Sequence, residues 1–189
     1  MAQHSTVIEE LANYKGLIFD FDETLVDLGV NWEALKKELS NYYKEKAGID
    51  LPFAPLDRTL QNIRERHGYD IYTDLLQIIT KHELKGDNYR LNETLITYIN
   101  THKNQQIAIY SMNTFITIKN FITKHIHVKP DIIISKEFVT QPKPTDKDLL
   151  RIMTAWQLNK KDIAYIGNSK LHDGESGNMA GIKTLIIKF

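Results

Sequence analysis

Residues 17–24 read Leu-Ile-Phe-Asp-Phe-Asp-Glu-Thr, an apolar run halted by two carboxylates one residue apart, with a threonine close behind. So short an apolar run suits a strand buried on both faces of a sheet. Side chains of an extended chain repeat with period two, so Asp20 and Asp22 are expected to point to one side. A buried strand ending at Asp20 would present both acids at its carboxyl edge, where open α/β sheets take their ligands. Two such charges repel unless a cation sits between them, and hard carboxylate oxygens suit Mg²⁺.

Four further apolar runs follow, at 107–110, 132–134, 163–166 and 184–187. Helical patterns separate them. Phe115, Ile118, Ile122 and Ile126 keep helical spacing behind Asn113 and Thr114, and Thr145 can cap a helix carrying Leu149, Met153 and Trp156. Alternating strands and helices predict a parallel, doubly wound sheet of about five strands in a three-layer α/β domain. The interval after Asp27 breaks this rhythm. Trp32, Leu35, Leu39 and Tyr42 form one amphipathic stripe, Leu56, Leu60 and Ile63 a second, and Ile71, Leu75, Ile78 and His82 a third. Turn signals divide them at Ala47-Gly48, Pro52 to Pro55, His67-Gly68 and Lys85-Gly86-Asp87. A crossover needs only about 12 residues, so the excursion reads as an inserted helical cap. The expected division is a core of 1–27 and 89–189 with a cap of 28–88.

A chain of 189 residues accommodates one core with such an insertion, not two full domains. Its 24 basic and 24 acidic residues cancel, so no global field favours nucleic acid or an anionic membrane. The absence of cysteine excludes a disulfide framework, a thiolate nucleophile and a zinc–thiolate site. No apolar run approaches the roughly 20 residues of a membrane span, and 1–10 carry no signal-peptide core. A cytoplasmic protein is the default expectation. Oligomeric state is not legible.

The later strand ends carry groups suited to phosphate or metal. Ser111, followed by Met112, offers a hydroxyl, and the helix beyond offers N–H groups at its N-terminus. In Gln141-Pro142-Lys143-Pro144 the prolines stiffen a loop around one ammonium, which can neutralise phosphate and carboxylate together. After Gly167, which permits a tight turn, Asn168 and Asp173 supply further oxygens. Thr24 orders the turn after the acids by hydrogen bonding. His125 and His127, two apart near a helix end, diverge and read as surface residues.

Taken in order, these residues resemble the haloacid dehalogenase-like superfamily, whose members are mostly Mg²⁺-dependent phosphohydrolases. Asp20, Asp22 and Thr24 match its first motif, Ser111 the second, Lys143 and Pro144 the third, and Gly167 and Asp173 the fourth. Ala180-Gly181-Ile182 before a final strand also looks like the family, and the likeness spans roughly 15–189. It implies that Asp20 attacks phosphorus to give an aspartyl-phosphate and that Asp22 is the general acid and base. Ser111, Met112 and Lys143 would bind the phosphoryl group of a small phosphorylated substrate. Asp20, Asp22, Asn168 and Asp173 would hold Mg²⁺. Asn168 departs from the motif, which has an acid there, and an amide oxygen brings no charge, so metal affinity is expected to fall. Two alternatives stay open: a catalytically weak or inactive binding protein of the same fold, and a phosphomutase.

Overall fold

The computed structural model describes residues 2–85 and 89–189, with side chains from Val7 onward. It divides into two compact units, one of 1–27 and 90–189 and one of 28–89.

In the first unit the five expected runs form one parallel sheet. Its strands are β1 (Gly16–Phe19), β4 (Gln106–Tyr110), β5 (Ile132–Ile134), β6 (Ile163–Gly167) and β7 (Lys183–Ile186), in spatial order β5-β4-β1-β6-β7. Central β1 pairs with both neighbours, Phe19 lying opposite Ile109 on one side and Ile166 on the other. The chain fills one flank of β1 before crossing to the other, so the carboxyl ends of β1, β4 and β6 meet at a topological switch point. All four residues of β1 are buried, as the apolar run requires. Ile18, Ala108, Tyr110, Ile163 and Tyr165 pack in one core cluster with Leu149, Ile152, Met153 and Trp156 of α7 (Lys147–Trp156) and with Ala180 of α8 (Glu175–Ala180). The remaining helices of this unit are α1 (Ala2–Leu11), α5 (Glu93–Thr101) and α6 (Phe115–His125).

The sequence reading did not anticipate α1, nor a two-stranded antiparallel ribbon of β2 (Val26–Asp27) and β3 (Arg90–Leu91). Asn92, just past β3, donates its side-chain amide to the Thr24 carbonyl at 3.0 Å and its backbone N–H to the Leu25 carbonyl at 3.0 Å. The ribbon and this clamp fix the chain directly after the first motif.

The second unit contains α2 (Trp32–Ala47), α3 (Leu56–His67) and α4 (Tyr69–Leu84) around its own core. Leu35, Leu39, Leu60, Ile63 and Leu75 are buried as expected, and the first and third stripes shift by one residue at their ends. Tyr43 and Ile79 are buried in place of Tyr42 and Ile78, Tyr72 replaces Ile71, and Trp32 is exposed. Leu35, Leu39 and Tyr43 recur every fourth residue, and Tyr42 instead hydrogen-bonds Asp74. Of the expected Lys85-Gly86-Asp87 turn, residues 86–88 lie outside the described residues. No described helix is long and apolar enough to cross a membrane.

Gly16 begins β1 because nothing larger fits. A Cβ there would lie 2.8 Å from Trp156 Cζ3 and 2.9 Å from Leu158 Cδ1. Overpacking costs about 1–3 kcal/mol, against about 0.5–1 kcal/mol gained by removing glycine from a strand. Gly16→Ala is therefore expected to lower the urea midpoint at unchanged slope. A midpoint equal to or above that of the parent would contradict this packing.

Candidate active site

Three strand-end segments of the first unit converge on one lysine. The Lys143 side chain is 4% exposed. Its ammonium donates to Asp20 Oδ1 at 2.8 Å, to Asp173 Oδ1 at 2.9 Å and to the Tyr110 carbonyl at 3.0 Å. An ammonium has three donors, and all three are used. The Tyr110 ring centroid lies 4.5 Å from Nζ and that of Tyr165 5.3 Å, so two aromatic faces complete the cage. Lys143 thereby binds together the ends of β1 and β4 and the loop beyond β6.

Asp20 follows β1 and continues its ladder, its N–H donating to the Ile166 carbonyl at 2.8 Å. The second carboxylate oxygen accepts from the Thr24 hydroxyl at 3.2 Å, so Thr24 both orders the turn and holds the acid. The chain then curls: the N–H groups of Thr24, Leu25 and Val26 all donate to the Phe21 carbonyl. Asp22 is half-buried in this turn.

Asp173 is almost wholly buried and bonded at both oxygens. Oδ1 accepts from Lys143 and, at 2.5 Å, from the Tyr165 hydroxyl. Oδ2 accepts from the backbone N–H groups of Asn168 at 3.1 Å and Ser169 at 3.0 Å. Its segment, Lys170–Gly174, makes a wide turn in which Gly174 N–H reaches back five residues to the Ser169 carbonyl. Gly167 has to be glycine, since a Cβ there would fall 2.4 Å from Asp173 Oδ2. Asn168 is half-buried, its side-chain N–H₂ donating to Glu23 Oε2 at 2.7 Å.

Ser111 closes β4 immediately after the carbonyl that Lys143 binds. Its hydroxyl donates to Asn113 Oδ1 at 2.8 Å and accepts from Asn113 N–H at 3.1 Å. Met112 is half-buried and packs on the core cluster. One expectation needs correcting. The first N–H of α6, that of Phe115, is taken by both Glu137 carboxylate oxygens at 3.0 Å, with Ser135 fixing Glu137 at 2.5 Å. A carboxylate already satisfies this one N–H, which is therefore not open to a phosphoryl oxygen.

The buried charges shift one another. Burial raises the Asp20 carboxyl above its ordinary value, and negative Asp173 adds to this, against the pull of Lys143. Burial also acts on Asp173, but Lys143 and the Tyr165 hydroxyl outweigh it and hold that carboxyl below the usual range. Lys143 loses by burial and gains more from the two acids, ending above an ordinary lysine. The Tyr165 phenol is pushed well up, first by burial and then by Asp20 and Asp173. Asp173 thus carries the settled negative charge, and a second one on Asp20 leaves the trio net negative.

Asp20, Lys143 and Asp173 meet directly, Thr24 joins them, and Asn168 and Ser111 attach through the backbone. Sequence reasoning missed Tyr110, Tyr165 and Glu23. A phenol inside the apolar run 163–166 was the available signal for Tyr165, and nothing local marked Glu23. Among the described residues no three His, Cys, Asp or Glu side chains form a ready metal cage. The donor set at this edge is nonetheless all oxygen. Mg²⁺ commonly binds through one or two carboxylates, with waters and substrate phosphate completing its shell, so the residues present fit that ion.

The family model for haloacid dehalogenase-like hydrolases matches residues 17–187. The chain belongs to that family. Among solved structures it is similar to a protein from Bacteroides fragilis assigned as a haloacid dehalogenase-like hydrolase, with 24% identity and TM-score 0.60 over 90% of this chain and 86% of that one. A Lactobacillus plantarum protein assigned as a phosphoglycolate phosphatase gives 16% identity and TM-score 0.58, covering 91% and 85%. A subfamily IA hydrolase of Geobacter sulfurreducens gives 14% and 0.55, covering 92% and 87%. At these identities the structures speak for a shared fold. A comparison with curated proteins returns no match.

The bond from Tyr165 to Asp173 generates a pH-dependent expectation. The folded carboxyl lies below its unfolded value of about 3.9, so its stabilisation is present above that pH and is lost as pH falls through the folded value. Tyr165→Phe removes a hydrogen bond to a charged group, worth about 1.5–3 kcal/mol. The stability difference from the parent is expected to be largest near neutral pH and to shrink below about pH 4. A difference independent of pH in urea titrations would contradict the assignment.

Proposed function

We propose that this hydrolase is a Mg²⁺-dependent phosphomonoesterase that works through an aspartyl-phosphate on Asp20. The observation that carries the reading is the Asp20 carboxylate, held at the switch point by Lys143 on one oxygen and Thr24 on the other. An acid fixed in this way is oriented as a nucleophile, and the lysine offsets charge as it develops.

In the first step an Asp20 oxygen forms a bond to phosphorus while the ester P–O bond breaks. The leaving oxygen takes its proton from Asp22, acting as a general acid. Asp22, now a carboxylate, then removes a proton from water, whose oxygen attacks phosphorus and releases Asp20 and inorganic phosphate. Lys143 and Ser111, each turning a donor from a present partner (the Tyr110 carbonyl and Asn113 Oδ1), would with the backbone at Met112 hold the phosphoryl oxygens. Mg²⁺ would be held by the Asp20 carboxylate, the Asp22 backbone carbonyl and the Asn168 amide oxygen. Asp173 would complete this set while also holding Lys143 and the 168–173 turn. Bound there, Mg²⁺ would supply positive charge to the transferring group and favour the ionised form of Asp20 against its burial.

The inserted helical unit is the part we assign to substrate selection. Neighbours assigned as phosphoglycolate phosphatases support a small phosphorylated metabolite as the substrate class. Asn168 favours a second reading, a phosphate-ligand binder without turnover, because a neutral ligand weakens the cation site.

A panel of small phosphate esters, assayed with a Mg²⁺ titration on the parent and Asp20→Asn, separates the readings. Phosphate release that requires Mg²⁺ and falls by about 10³-fold or more in Asp20→Asn is expected. Beryllofluoride binding with no ester turned over at any Mg²⁺ concentration would establish the binder and contradict the hydrolase.

A further inference from the structure

Glu23 sits where the backbone favours glycine. Its φ is 56°, in the left-handed region that side chains disfavour. The turn gives no reason for a carboxylate there, because its bond from Glu23 N–H to the Val26 carbonyl, 2.7 Å, is made by the backbone and is open to any residue. The side chain instead crosses to the far side of the switch point. Its Oε2 lies 2.7 Å from Asn168 Nδ2, a contact between residues 145 apart in sequence.

A carboxylate only accepts, so the amide nitrogen has to face Glu23. The two ends of a planar amide diverge, and the Asn168 oxygen is therefore turned away from Glu23. We infer that Glu23 is a positioning residue for the cation site: it orients Asn168 so that the amide oxygen is presented as a ligand, and it adds beside that ligand the negative charge Asn168 lacks. The inference rests on the Mg²⁺-dependent reading above. Outer groups that hydrogen-bond a ligand fix its orientation and raise its donor strength. Glutamate at a glycine-favouring position then has a use that offsets its backbone strain.

The test titrates Mg²⁺ alone into the parent protein by calorimetry, with melting temperature measured separately in EDTA. Glu23→Gln keeps an acceptor for Asn168 but deletes the charge, and is expected to weaken Mg²⁺ binding about 10-fold. Glu23→Gly deletes both charge and acceptor while relieving the backbone, so affinity falls further as the melting temperature in EDTA holds or rises. These opposite signs distinguish positioning from general stabilisation, which would lower the melting temperature and leave affinity unchanged. Asn168→Asp placed in the Glu23→Gln background is expected to restore binding. Parent-like affinity in both Glu23 variants overturns the inference alone. A parent protein that binds no Mg²⁺ overturns the functional reading on which it rests.

Discussion

One buried ammonium holds the carboxyl edge of the sheet together. Lys143 spends its three donors on Asp20, Asp173 and the Tyr110 carbonyl, which belong to three separate stretches of chain. Taking a charge out of water costs several kcal/mol, and only near-complete pairing makes such a burial tolerable. The strand ends therefore have to meet at this point, and the sheet order provides the meeting. β1 lies between β4 and β6, so residues just past the three strands surround one volume. The two tyrosine faces beside Nζ keep that volume partly apolar and strengthen its electrostatics.

The same pairing divides labour between two aspartates of identical chemistry. Asp173 is enclosed by Lys143, Tyr165 and two backbone N–H groups, and its negative charge is settled by them. Asp20 receives fewer donors, and burial works against its ionised form. The proposed reaction takes Asp20 as its reactive member because its charge is the less compensated one. A lysine that neutralises one acid while leaving the other short of positive charge is the arrangement on which the proposed cation and phosphoryl sites rest. Environment, more than residue type, assigns these roles.

Much of this was legible in the chain before folding. Apolar runs at 17–19, 107–110, 132–134, 163–166 and 184–187 marked five strands because both faces of a parallel sheet are buried, leaving no polar alternation to obscure them. The acids and lysine at strand ends were legible for a related reason: charges that interrupt apolar runs stand out. Precision failed where burial is set by neighbours. Two of the helical stripes shifted by one residue at their ends, and Tyr43 rather than Tyr42 entered the core, because adjacent tyrosines are equivalent until the facing helix is known. Tyr165 and Glu23 were missed since their meaning lies in partners at Asp173 and Asn168, the second of them 145 residues distant. The first N–H of the helix after Ser111 is not free, because Glu137, some twenty residues on, takes it.

Energetic coupling between Lys143 and Asp173 tests the central claim most directly. A double-mutant cycle compares the unfolding free energies of the parent, Lys143→Met, Asp173→Asn and the double variant. Removing the lysine alone leaves buried acid uncompensated and should cost about 3–5 kcal/mol. The double variant should then lose at least about 1.5 kcal/mol less than the sum of the single losses. Losses that add to within about 0.5 kcal/mol would show that the two residues do not share the buried interaction described here.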